Sequence, residues 1–116
     1  MRALIGRDRA AQERLQTRVA WPTHLYVEVT HVLLRLRRND RISHARAYTA
    51  ITALLAFPAE AHPVESLVRG AWNVSLARRL SVYDACYVVL AEALDAPLVT
   101  ADRRLAAATP NAVLLT

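Results

Sequence analysis

Apolar positions along the chain fall into blocks of changing period, and the blocks predict the elements. In residues 8–18, charged positions interleave with Ala11 and Leu15, and with Leu4 and Val19 the apolar set keeps roughly helical spacing, so this stretch reads as a surface helix ended by Pro22. Thr23 is a plausible cap for a second helix over 24–38, with the stripe Leu25, Val29, Val32 and Leu36, closed by the turn pair Asn39 and Asp40. Ser43 opens a third helix to Ala56, stopped by Pro58. Residues 59–62 are a short extended candidate, and a helix starts at Pro63 and runs to about Arg78. Ser81 caps the next helix, which from Ala85 to Ala91 has apolar side chains all round and no charge, so it should be buried on most sides. Residues 96–100 read as a buried strand, 102–108 as a helix and 112–115 as a last strand. Strands alternating with helices predict an α/β fold with a parallel sheet covered on both faces.

At 116 residues and 54% hydrophobic content, the chain has the length and core of one domain, 1–116. Its formal charge of +5 favours polyanionic partners such as RNA, DNA or an acidic protein. All fifteen basic residues are arginine, which suits bidentate phosphate contacts or reflects a GC-rich genome. The lone Cys86 lies in an apolar run and fits a reducing, cytoplasmic setting; no stretch reads as a signal peptide or is long enough to span a bilayer. With only Gly6 and Gly70, neither a P-loop nor a dinucleotide fingerprint is possible. His24 and His31 could share a helix face but form no zinc motif.

Three acids stand where a charge is costly or aimed. Asp84 opens the buried helix in line with Val88 and Ala91; a first-turn acid favoured by the helix dipole is the plainer alternative. Asp102 follows a strand by two residues, where open parallel sheets bind ligands, or it merely caps the next helix. Glu28 borders the apolar stripe of its helix, unless it only pairs with Arg35. Three carboxylates on three elements, without clustered His or Cys, point to a hard cation, Mg2+ or Mn2+, and with the basic surface to a nuclease. A cysteine or serine nucleophile fits less well, because Cys86 is embedded in apolar sequence and no Ser lies in a G-x-S-x-G turn.

The stretch from Tyr83-Asp84-Ala85 through Tyr87, Leu90-Ala91-Glu92, and then Pro97-Leu98, Thr100, Asp102 and Leu105 resembles a PIN domain of the VapC toxin family, as does Glu28-Val29 with Leu33 and Arg35. The likeness covers the chain from about residue 20 onward. It implies a helix-rich, three-layer α/β/α sandwich, and a metal-dependent endoribonuclease toxin in which Glu28, Asp84 and Asp102 hold the ion that activates water. It further implies a VapB-type antitoxin and a homodimer. Thr100 would support the metal site, Glu92 would be a polar edge or supporting residue, and Arg103 and Arg104 would hold the RNA backbone, with Arg35, Arg37, Arg38 and Arg41 as a second basic cluster, unless either cluster is simply a solvated helix face. Val27 and Leu34, opposite the main stripe of their helix, would face the antitoxin or simply pack in the core. The family's first strand, which is central to its sheet and ends in an Asp, has no counterpart: residues 1–5 look like the start of the following helix, and neither Asp8 nor Glu13 takes the acid's place. A start assigned too far downstream is the favoured explanation. A true truncation, leaving a non-catalytic module that binds antitoxin or RNA, is the alternative.

Overall fold

The computed structural model describes residues 3–5, for which the backbone alone is considered, and 18–115. Five strands form one sheet in the order β3-β2-β1-β4-β5: β1 is Ala3–Ile5, β2 Val19–Pro22, β3 Glu60–His62, β4 Leu98–Thr100 and β5 Ala112–Leu114. The helices are α1 (Leu25–Arg38), α2 (His44–Ala56), α3 (Val68–Arg78), α4 (Val82–Ala93) and α5 (Arg103–Ala107), with a 3-10 turn at Val64–Ser66. The expected helix-rich α/β architecture is present, with most helix ends within a residue or two of those predicted.

Four predictions are corrected. Ala3–Ile5 is a strand and not the start of a helix; it occupies the centre of the sheet, antiparallel to both neighbours, with Leu4 opposite Ala20 and Leu98. The sheet is therefore mixed, two parallel pairs flanking one reversed strand, and not wholly parallel. Without a strand there, the facing N–H and C=O groups of β2 and β4 would be unpaired, and that tertiary demand outweighs local preference. Val19–Pro22, taken above as the end of a helix, is β2, because its three residues Ala20, Trp21 and Pro22 are buried and its backbone pairs with β3. The rest of the predicted first helix, over residues 8–17, lies outside the described residues. Thr23 does not cap α1 either: its hydroxyl accepts from the backbone N–H of Val64 at 3.2 Å, locking the start of α1 to the loop after β3.

α4 is the keystone, as its all-round apolar sequence predicted. Ala85, Cys86, Tyr87, Val88, Leu90 and Ala91 are buried, in one cluster with Trp21, Leu25, Leu98 and Leu105. Ser81 caps it, its hydroxyl accepting from the Asp84 N–H at 3.0 Å. α3 packs along α4 closely enough that a Cβ added at Gly70 would stand 3.0 Å from a methyl of Val89, and so only glycine fits without displacing that side chain.

Candidate active site

The strand directions decide where the acids go. β2, β3, β4 and β5 all point one way, so their carboxyl ends share one edge of the sheet. α1 leaves that edge directly after β2 and carries Glu28 in its first turn; α5 leaves it directly after β4, with Asp102 at its cap. α4 runs back to β4 through a short connection, which brings its first turn, with Asp84, to the same edge. This is where ligands bind in open α/β sheets.

Glu28 and Asp102 are held by specific contacts. The Tyr87 hydroxyl, on a side chain 1% exposed, donates to Glu28 Oε1 at 2.6 Å and so ties α1 to the helix that carries Asp84. His24 Nε2 lies 3.8 Å from the same oxygen and 3.1 Å from the backbone oxygen of Tyr83. A carbonyl can only accept, so Nε2 carries the proton, while Nδ1 is buried without a hydrogen-bond partner among the described residues. The charge of Glu28 is felt nearby: burial pushes the Cys86 thiol up, and Glu28 adds to it. A thiol so raised is a poor nucleophile, in keeping with the sequence reading.

Asp102 Oδ1 accepts from the N–H groups of Arg104 and Leu105 at 2.9 and 3.2 Å, which is the helix-capping alternative realised. Thr100 is fully buried, and its hydroxyl accepts from the Asp102 N–H at 3.0 Å, so it sets the backbone from which Asp102 projects. Arg103 and Arg104 are exposed beside Asp102, and the Arg104 guanidinium reaches the backbone oxygen of Arg79 at 3.3 Å.

Glu92 stands apart. Eight residues after Asp84 is about 12 Å along a helix, and there Glu92 pairs with Arg78 at 2.9 Å, joining α4 to α3. The structure thus brings Glu28, Asp84, Thr100, Asp102, Arg103 and Arg104 to one edge and leaves Glu92 at the far end of α4. His24, Tyr83 and Tyr87, not singled out for the site in the sequence, line a groove of about 570 Å3 with Val27, Glu28 and His31, a groove that Asp84 and Asp102 do not line. The signal was available in the four-residue spacings His24 to Glu28 and Tyr83 to Tyr87, each of which places a pair on one helix face.

The same geometry tests the fit of a metal ion. The donors are carboxylates, the right chemistry for Mg2+ or Mn2+. The strands that lead into the elements bearing Glu28 and Asp102, β2 and β4, flank β1, however, which sets their ends about 10 Å apart at ordinary strand spacing. Among the described residues, no three His, Cys, Asp or Glu side chains are close enough to hold an ion together. Such an edge would suit an ion held through one or two carboxylates, with its other ligands from outside the protein, and does not suit an all-protein cage.

Comparison with known proteins identifies the class. Residues 3–109 match the PIN domain, and the chain belongs to that family. Within it the chain is of the VapC type. It is 38% identical over 104 residues to ribonuclease VapC3 of Mycobacterium tuberculosis, covering 89% of this chain and 74% of the relative. Ribonuclease VapC1 of the same organism is 42% identical over 88 residues, 75% of this chain and 65% of the relative. The crystal structure of PAE2754 from Pyrobaculum aerophilum is similar with a TM-score of 0.65 and 30% identity, over 80% of this chain and 63% of that one. The fold is accordingly the PIN-like α/β/α sandwich expected from the motifs.

Proposed function

We propose that the chain is a toxin of the VapC type, an endoribonuclease that cuts RNA with the help of Mg2+ or Mn2+, is restrained by a VapB-type antitoxin, and works as a cytoplasmic homodimer. The observation that supports this reading is that Glu28, Asp84 and Asp102 lie on elements that begin at one edge of the sheet, in a chain of the PIN family. Glu28, Asp84 and Asp102 would be the residues to hold a divalent ion, which would supply Lewis acidity toward water and the phosphate. The protein's part is orientation. Tyr87 aims Glu28, Thr100 and the α5 backbone fix Asp102, and Ser81 fixes the turn that presents Asp84. Arg103 and Arg104, next to Asp102, are placed to hold the RNA backbone. Glu92 has no part in this site.

Incubation of RNA with the purified chain and Mg2+ or Mn2+ tests the reading. Cleavage that falls about 10^2–10^4-fold in Asp84→Asn and in Asp102→Asn, with unchanged circular dichroism, is the expected result, the range being that of a lost group acting directly on the reaction. The second reading, a module that binds antitoxin or RNA without cutting, is favoured by the lack of a three-residue ligand cluster among the described residues. Intact RNA at every metal concentration, with the protein folded, would establish it.

A further inference from the structure

The positive charge of this chain is concentrated. Residues 35–46 hold five arginines and one aspartate, which is +4 of the chain's formal +5. They form the tip of the hairpin between α1 and α2, and all five arginines are exposed. We propose that this tip is a docking surface for the RNA backbone, separate from the edge that carries the acids. The choice of RNA among polyanions rests on the ribonuclease reading.

Local structure does not account for these arginines. Cations near a helix C-terminus often serve its unpaired carbonyls, but here the carbonyls of Arg35, Leu36 and Arg37 already accept from the N–H groups of Asn39, Arg41 and Asp40, at 3.1, 2.8 and 3.1 Å. Arg37 alone is used by the turn, donating to the Ile42 backbone oxygen at 3.2 Å and standing 3.7 Å from Asp40 Oδ1. Arg35, Arg38, Arg41 and Arg46 have no ion-pair partner among the described residues. Four unneutralised guanidinium groups gathered around a turn closed by its own backbone bonds make a cationic knob, suited to a run of phosphates. Ten residues separate Glu28 from Arg38, about 15 Å along α1, or roughly four nucleotides of stacked strand at about 3.4 Å each. A strand held at the tip can therefore reach the acid edge while still bound.

The test uses the full chain and Arg35→Gln/Arg38→Gln/Arg41→Gln, which spares Arg37 and hence the turn, with Arg69→Gln on exposed α3 as control. Fluorescence anisotropy with a labelled single-stranded RNA, in EDTA so that nothing is cut, is read across salt concentrations. The triple variant should bind about 10- to 100-fold more weakly near 0.1 M salt, and its salt slope should be shallower by about 2, from about 0.7 per lost phosphate contact, with Arg69→Gln unchanged. Equal affinity and slope in parent and triple variant overturn the proposal. So does unchanged RNA binding alongside weakened binding of a poly-glutamate peptide, which would make the tip a protein-facing surface. Adding Mg2+ separates the two readings: RNA bound through the tip but left intact sinks the ribonuclease reading alone, and RNA bound and cut equally by both proteins sinks the docking surface alone.

Discussion

α4 and α2 are of similar length and both rich in apolar residues, yet they do opposite things. α4 buries six of its twelve residues, and α2 buries none of its thirteen, leaving Tyr48 and Leu55 about two-thirds exposed. The difference comes from position: α4 lies against β2, β1 and β4, whereas α2 leans on α1 and touches no strand closely. A helix against the sheet can hold a carboxylate at a defined place, because its own side chains cannot shift. A helix on an exposed hairpin is free to present charge to a partner. Asp84 belongs to the first setting and the arginines around the hairpin tip to the second, while Glu28, at the start of the hairpin's first helix, is tied back to α4 by Tyr87.

The largest effect that sharpens this contrast is expected in packing. Leu90→Ala on α4 should cost about 2–5 kcal/mol in chemical unfolding, as a large-to-small change in a filled core, whereas Leu55→Ala on α2 should stay within about 0.5 kcal/mol. Similar losses at the two positions would show that α2 is buried in solution against something else. Next comes the link between α1 and α4. Tyr87→Phe removes the donor to Glu28 while keeping the ring, and should cost about 1–2 kcal/mol for a half-buried acceptor left short of a partner. In a double-mutant cycle with Glu28→Gln the two losses should be clearly non-additive; simple additivity would mean that the 2.6 Å contact holds nothing together.

The smallest effect lies on the sheet's outer strand. Arg18 hydrogen-bonds Glu60 at 2.6 Å, and that bond, outweighing desolvation, holds the Glu60 carboxyl below the usual glutamate value. A lowered folded-state value means stability that is present above the unfolded glutamate pKa and disappears as pH falls through the folded one. The pair is exposed, so the gain is at most about 1 kcal/mol. Urea midpoints of the parent and Glu60→Gln should differ slightly at pH 7 and converge toward pH 3. A gap that persists in acid would assign the difference to something other than this charge.

Much of this arrangement was legible in the chain itself. The stops at Asn39-Asp40 and Pro58, the cap at Ser81 and the uncharged run 85–91 are local signals, since they depend on backbone geometry and on how far a side chain can avoid water. Those signals were enough to mark Asp84 and Asp102 as unusual and to bring out the family motifs. They were not enough for β1 and β2, because an apolar tripeptide such as Ala3-Leu4-Ile5 suits a helix or a strand equally. What settled it was the pair of strands needing backbone partners on either side, far away in sequence.

The candidate site divides the same way. Its residue types and their helix positions are written in the order of amino acids, because caps and periodicity act within a few residues. Whether Glu28 meets Tyr87, 59 residues on, whether Glu92 faces the acids or Arg78, and which edge of the sheet collects them all depend on strand directions and helix contacts that exist only once the chain has closed on itself.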